Sequence, residues 1–231
     1  MRPLSFPLML FAAGFGTRMG ALTADRPKPL LRVAGRSLLD HALEIADRAG
    51  AVSPVVNLHY LGERIEAHLQ GRDVRFSREM PDILDTGGGL KAALPQLGSG
   101  AVMTLNTDAI WTGANPLAQL ADAWAPERMD GLLLLLPLAA VTGHPGTGDF
   151  TVSAQGRIAW GKGAGGPVYL GAQIVKTDHV LAIAEHVFPM ARVWDAMMAN
   201  GRAYGLIHKG GWCDVGTPAG IAEAEEMLAN V

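Results

Sequence analysis

Apolar residues follow two rhythms along this chain. Leu8-Met9-Leu10-Phe11-Ala12-Ala13 is an unbroken apolar run that stops at Gly14, which predicts a buried first strand followed by a glycine loop. From Ser37 to about Ala49 the spacing becomes helical, with Leu38, Leu39, Ala42, Leu43 and Ala46 on one face. Ser37 caps this helix, Asp40 follows three residues later, and Gly50 ends it. Beyond it, strands are expected at Val52 to Asn57, Val74 to Ser77, Ala101 to Leu105 and Gly131 to Leu136. Helices are expected between them at Leu61 to Leu69, Leu90 to Leu97 and Pro116 to Trp124. Residues 78–88 read as a loop running into Gly87-Gly88-Gly89.

Such alternation of strand and helix implies a parallel sheet with helices on both faces. After Pro137 the texture changes. Phe150 to Ser153 and Arg157 to Trp160 flank a turn at Gln155-Gly156 and read as an antiparallel hairpin. Pro167 to Val175 is a further strand, Arg192 to Asn200 a helix, Tyr204 to His208 a strand, and Pro218 to Leu228 a final helix. The fold class is therefore α/β: a Rossmann-like mixed, mostly parallel sheet flanked by helices. The 231 residues fit one domain, with a boundary between two halves near residue 136.

Composition narrows the function classes. A net charge of −3, without any block of like charge, is not the footprint of a nucleic-acid binder. No apolar run reaches the roughly 18–20 residues that span a membrane, and the N-terminal run, broken by Ser5 and Pro7, reads as a strand rather than a signal peptide. Cys213, the single cysteine, can form neither an internal disulfide nor a thiolate cage, so a reducing, cytoplasmic setting is expected. Between Trp212 and Asp214 it reads as a small buried hydrophobe. The sequence sets the assembly no more closely than a monomer or small homo-oligomer.

The densest chemistry lies in residues 12–31. Ala12-Ala13-Gly14-Phe15-Gly16-Thr17-Arg18-Met19 is followed by Arg26-Pro27-Lys28-Pro29-Leu30-Leu31. Gly14 and Gly16 let backbone N–H groups approach a polyphosphate closely. Arg18 and Lys28 carry the compensating charge, and Pro27 and Pro29 stiffen the chain around Lys28 so that its amine is aimed. Two other glycine motifs are excluded. No Gly-x-x-x-x-Gly-Lys-Ser/Thr occurs, and a dinucleotide fingerprint would need glycine where Met19 stands and an acidic residue where the second strand ends in Asn57. Asp108 follows the strand at Ala101 to Leu105, at the sheet edge where α/β proteins bind ligands, and a carboxylate there suits Mg²⁺. Taken alone, Asp108 and Asp214 would each read as loop-capping aspartates.

Residues 10–31 resemble the signature of the sugar-1-phosphate nucleotidyltransferases. Asp85-Thr86-Gly87-Gly88-Gly89, Leu105-Asn106-Thr107-Asp108, Gly148-Asp149-Phe150 and Trp212-Cys213-Asp214-Val215-Gly216-Thr217 extend the resemblance over nearly the whole chain. In length and motif set the chain most resembles the N-acetylmuramate-1-phosphate uridylyltransferases of cell-wall recycling. The resemblance implies a nucleotide-diphospho-sugar transferase (GT-A-like) fold, with nucleotide bound by about residues 1–136 and sugar by about 137–231. It implies an NTP, UTP in particular, and a sugar 1-phosphate as substrates, with Mg²⁺ held by Asp108 and Asp214. Nucleotide-binding residues would be Ala12, Ala13, Gly14, Gly16, Thr17, Arg18, Lys28, Asn57, Thr86 and Gly87, with Arg18, Lys28 and Asp108 catalytic. Asn106, Asp149, Gly171 and Lys162 would meet the sugar phosphate, although a solvated surface lysine is an equal reading of Lys162.

The chain departs from the family at Thr107, where glycine usually precedes the metal aspartate, and at Gly20-Ala21-Leu22, where Pro-Leu is common. Readings that stay open are a nucleotidyltransferase for another sugar 1-phosphate (mannose, glucose or heptose type) or for phosphocholine, and a catalytically silent nucleotide sensor. Three glycines at a helix start cost stability without a ligand to contact, so Gly87-Gly88-Gly89 is expected to meet one rather than to form merely a flexible turn. His144, near Asp149, reads as a loop histidine, and Trp111 as a packing residue close enough to wall a pocket.

Overall fold

A computed structural model describes residues 4–161 and 163–230. In chain order the strands are β1 (Leu8–Phe11), β2 (Arg32–Val33), β3 (Arg36–Ser37), β4 (Val55–Leu58), β5 (Arg75–Arg78), β6 (Ala101–Asn106), β7 (Ala109–Trp111), β8 (Gly131–Leu136), β9 (Val141–Thr142), β10 (Phe150–Val152), β11 (Ile158–Trp160), β12 (Val168–Lys176), β13 (Ala203–Ile207) and β14 (Trp212–Asp214). The helices are α1 (Leu38–Ala49), α2 (Gly62–His68), α3 (Asp85–Leu97), α4 (Pro116–Ala123), α5 (Thr177–Leu181), α6 (Met190–Ala199) and α7 (Pro218–Ala229).

Seven strands form the central sheet in the order β13-β8-β12-β6-β1-β4-β5. Strand β12 runs antiparallel to both neighbours, and every other pairing in the sheet is parallel. The later part of the chain thus inserts β12 between β6 and β8, and its two stretches interleave in one sheet. Strand β1 lies between β4 and β6, so consecutive connections leave it in opposite directions. This is the switch point at which α/β sheets open a crevice beyond their strand ends.

Both faces of the sheet's centre are buried, which is why its inner strands β1, β6, β8 and β12 are mostly apolar rather than alternating, while the edge strand β5, Arg75–Arg78, is mixed. Leu8 and Leu10 of β1 point to one side with Leu39, Leu43 and Ala46 of α1 and Leu117 and Leu120 of α4. Met9 points to the other side with Leu90, Ala93 and Leu94 of α3 and Val193 and Met197 of α6. Each fully buried leucine or methionine contributes about 1.5–3 kcal/mol, which outweighs the weak helix propensity of any single turn. Local signals agree with α1. The Ser37 hydroxyl accepts from the Asp40 N–H at 3.0 Å and donates to its carboxylate at 2.6 Å, and Gly50 closes the helix at φ 75°.

Against the main sheet stands a small one of order β7-β14-β9, backed by α7. Its own apolar cluster contains Met19, Leu31, Ile110, Cys213, Val215 and Ala224. This subassembly brings the segment after Asp108 against the segment around Asp214, although more than a hundred residues separate them in sequence. Among the described residues, no helix is long and apolar enough to cross a membrane.

Candidate active site

Strands β1, β4 and β6 all end at one edge, and the loops beyond them build two adjoining clefts. The larger, of about 230 Å³, is lined by Ala12, Ala13, Gly14, Lys28, Asn57, Thr86, Asn106 and Asp108, together with Phe11, Pro29, Glu79, Ile83, Asp85 and Thr107. The smaller, of about 200 Å³, is lined by Gly14, Gly16, Thr17, Arg18, Lys28, Asp108 and Gly216. Gly14, Lys28 and Asp108 border both. At this junction the Lys28 ammonium donates to Asp108 Oδ2 at 2.7 Å.

Lys28 reaches the junction because the loop after β1 doubles back on itself. Gly16 has φ 65°, and a Cβ there would lie 2.8 Å from the Lys28 Cβ, so only glycine lets the two turns close. The Thr23 hydroxyl donates to the Gly16 carbonyl, and the Tyr60 hydroxyl donates to the Thr23 carbonyl at 2.9 Å. Phe15 rests edge-on against the His59 ring, 5.3 Å between centroids. The segment expected as an irregular loop therefore holds two 3₁₀ stretches, Thr17–Thr23 and Lys28–Leu30.

On the far wall of the larger cleft, Asn57 accepts the Ala12 N–H at 2.6 Å and donates to Glu79 Oε1 at 2.7 Å. The other Glu79 oxygen accepts the Leu84 N–H at 2.8 Å. Glu79 is 1% exposed. This buried carboxylate ties β1, β4 and the entry to α3 into one wall. The sequence offered no motif that singles it out, since a lone Glu in Ser-Arg-Glu-Met reads as a loop charge.

Asp108 and Asp214 are neighbours where β14 pairs with the start of β7. Asp214 pairs in register with Ala109, and the Val215 N–H donates to the Asp108 carbonyl at 2.9 Å. Burial raises the Asp214 carboxyl above the usual carboxylate range, the Asp108 charge adds to this, and Lys28, Arg18 and His144 oppose it. Arg18 converges on the same point. A Cβ on Gly216 would lie 2.7 Å from Asp214 Oδ2 and 2.9 Å from Arg18 Nη1. Two like carboxylates, with no group of three His, Cys, Asp or Glu among the described residues, make a donor set too small for an all-protein metal cage. Such a set matches a hard cation that also takes phosphate oxygens and waters. Thr107, the departure from the family pattern, is buried and donates its hydroxyl to the Phe11 carbonyl at 2.7 Å, which fixes the end of β6 to the end of β1.

Other expected site residues are placed differently. The glycine triplet lies inside α3 rather than before it, and its absent side chains have a packing reason. A Cβ on Gly87 would meet the Phe188 ring at 2.4 Å, one on Gly88 the His186 carbonyl at 2.3 Å, and one on Gly89 the Glu79 carboxylate at 2.5 Å. The N–H groups of Gly87 and Gly88 both donate to the Phe188 carbonyl. Thr86 lines the cleft while its hydroxyl accepts the Met190 N–H. Gly171 has φ 87° and stands against Asn106, whose Cβ a side chain at 171 would meet at 2.8 Å. Asp149 accepts the Tyr169 N–H at 2.9 Å, and neither Asp149 nor Gly171 borders the two clefts. Lys162 lies outside the described residues. Trp111 packs on Trp212 and His208 and lines neither of the two clefts.

A glycine-turned loop, two cations and paired carboxylates at the edge of a mixed sheet suit a phosphate-bearing ligand such as a nucleotide. Comparison with known proteins agrees. Residues 8–146 match the MobA-like NTP transferase domain, and the chain belongs to this family. Over 96% of its length it is 40% identical to the N-acetylmuramate alpha-1-phosphate uridylyltransferase of Caulobacter vibrioides, covering 96% of that protein. The protein of the same description from Neisseria meningitidis serogroup B is 32% identical over 95% of the chain and 96% of its own length. Among solved structures, HddC from Yersinia pseudotuberculosis complexed with GMP-PN superposes with a TM-score of 0.77 at 18% identity, over 96% of this chain and 99% of that one, and shares its fold.

Proposed function

We propose that this protein transfers the uridylyl group of UTP to N-acetylmuramate 1-phosphate, releasing pyrophosphate and forming UDP-N-acetylmuramate in cell-wall sugar recycling in the cytoplasm. The observation that carries the reading is the Lys28–Asp108 pair at the junction of the two clefts. One fixed ammonium is thereby within reach of groups bound in either cleft. The relatives from Caulobacter and Neisseria, similar over nearly their whole length, supply the identity of the base and sugar.

In the proposed reaction a phosphate oxygen of the sugar 1-phosphate attacks the α-phosphorus of UTP in line. The bond from the α-phosphorus to the α,β-bridging oxygen breaks, and pyrophosphate leaves with that electron pair. No protein nucleophile is required, and the protein's contribution is positioning and charge. The backbone at 14–17 and Arg18 hold the β- and γ-phosphates. Lys28, released from Asp108 to phosphoryl oxygens, bridges the α-phosphate and the incoming phosphate. Asp108 and Asp214 would hold Mg²⁺, which when bound supplies positive charge to the reacting phosphates. Asn57 and Glu79 keep the base-side wall rigid.

The test is pyrophosphate release by the purified protein with Mg²⁺, over five NTPs and a panel of sugar 1-phosphates and phosphocholine. Release is expected with UTP and N-acetylmuramate 1-phosphate. Release only with another pair would keep the chemistry and reassign the substrate. UTP binding without release from any pair would point to a sensor.

A further inference from the structure

Between β9 and β10 the chain crosses the small sheet at the carboxylate pair. Gly143, at φ 72°, packs so tightly on β14 that a Cβ would lie 2.4 Å from the Asp214 carbonyl. His144 follows, near enough for its charge to act on the Asp214 carboxylate. The loop ends at Asp149, held by the Tyr169 N–H. His144 thus lies beside Asp214, at the start of the segment that runs to Asp149.

Two ring nitrogens in this place are buried without a hydrogen-bond partner: Nε2 of His144 and Nε1 of Trp212. Their rings lie 6.3 Å apart, and Trp212 is 5% exposed. Buried polar atoms are almost always paired, so two orphans on neighbouring rings call for an explanation. An indole N–H can only donate, and an imidazole nitrogen can donate in either the charged form or the suitable tautomer. Together they complement an oxygen acceptor. The segment above them is light. A Cβ on Gly146 would lie 2.3 Å from His144 Nε2, so a residue without a side chain covers it, and residues 145–147 are exposed. A third unpartnered atom, Glu223 Oε2, sits against Gly143 and the Cys213 sulfur. Cys213 points to the opposite face of β14 from Trp212 and Asp214, so this carboxylate is on the far side of the strand. Arg18 and Lys28 border the phosphate cleft and are committed there.

We propose that His144 and Trp212 form a subsite for a carboxylate on the acceptor sugar, uncovered when Gly146 moves off the imidazole. The subsite selects a sugar 1-phosphate that bears a carboxylic acid side chain over the same hexosamine without it. The proposal rests on the acceptor reading above. N-acetylmuramate differs from N-acetylglucosamine by a lactyl ether that ends in a carboxylate, and discrimination between them needs donors for that group. A site built to hydrogen-bond one group rejects a ligand lacking it far more strongly than an apolar pocket does, because its buried donors are then left unpaired.

The test is calorimetric binding of N-acetylmuramate 1-phosphate and N-acetylglucosamine 1-phosphate to the full chain, with Mg²⁺ and a non-cleavable UTP analogue. Wild-type protein is expected to prefer the first ligand by at least ~10-fold. His144→Ala and Trp212→Phe, the second keeping an aromatic ring in the core, should each bring the ratio of affinities toward one. In turnover the same change should appear in KM for the muramate substrate more than in kcat. A wild-type ratio near one, failure to bind either sugar, or an unchanged ratio in both variants would overturn the proposal. A wild-type preference without any pyrophosphate release would overturn the proposed reaction and leave the subsite standing.

Discussion

Replacement of Lys28 by methionine separates chemistry from stability. The lysine is 8% exposed, its ammonium lies 2.7 Å from Asp108, and its aliphatic stem packs beside Gly16. Methionine keeps most of the stem and removes the charge. At an effective dielectric constant near 20, an ammonium about 4 Å from a phosphoryl oxygen contributes ~4 kcal/mol, of which only the part that grows toward the transition state accelerates the reaction. Losing one preorganised charge contact of this kind costs roughly 2.7–4 kcal/mol, so turnover of Lys28→Met should fall ~100- to 1,000-fold. The stability effect should be small. The Asp108 side chain is 34% exposed and can be hydrated once its partner is gone. A pair open to solvent on one side is worth about 0–1 kcal/mol, so the fall in Tm should be no more than about 2–4 °C at this chain length. The assay is continuous pyrophosphate release at saturating UTP and acceptor, with a thermal melt of the same sample. Near-normal turnover would refute the role of Lys28. A loss matched by unfolding at the assay temperature would show that the lysine acts through the fold instead.

Three further outcomes follow from the same geometry. Asp130, 8% exposed, is bound by Lys176, His179 and Arg202, and these hydrogen bonds hold its carboxyl well below the usual carboxylate range despite its burial. Its stabilisation is complete above the unfolded carboxyl value near pH 4 and is lost as pH falls below it toward the folded value. Asp130→Asn should therefore cost about 3 kcal/mol at pH 7 and flatten the acid limb of a denaturation profile, and an unchanged acid limb would contradict this. Cys213 is fully buried, and burial, with Glu223 and Asp214 nearby, pushes its thiol up to about 12. An aromatic disulfide reagent at pH 8 should label it only after denaturation, and rapid labelling of the folded protein would contradict that burial. Glu79→Ala leaves the Leu84 N–H and the Asn57 amide unpaired, about 1–3 kcal/mol each. A fall in urea midpoint with a rise in KM for UTP is expected, and no change in either would deny Glu79 its place in the wall.

The long periodic elements of this fold were legible in the sequence because burial on both sheet faces writes apolar runs directly into the chain. Strand β8 and helix α1 came out within a residue of expectation. Gly14, Gly16, Arg18 and Lys28 were readable as a group because a phosphate-handling loop needs glycine turns and charges at short spacing, and Asp108 because it follows an apolar strand at the sheet edge. Two kinds of feature were not. Strands β7, β9 and β14 have two or three residues each and pair between segments far apart in the chain, so no local rhythm announces the sheet that brings Asp214 to Asp108. The glycines at 87–89 and 171 signal a close approach, but the approaching atoms belong to Phe188, His186, Glu79 and Asn106, which a linear reading cannot bring near. Glu79 and the orphaned nitrogens of His144 and Trp212 are visible only once partners can be counted in space.

Nucleotidyl transfer at the junction held by Lys28 and Asp108 can be followed by tracing label from UTP. With UTP labelled at the α-phosphorus, N-acetylmuramate 1-phosphate, Mg²⁺ and purified protein, the label is expected in a UDP-sugar. With UTP labelled at the γ-phosphorus it is expected in pyrophosphate alone. Label from the γ position appearing on the sugar, or α-label remaining in UTP while the protein holds it, would contradict the account.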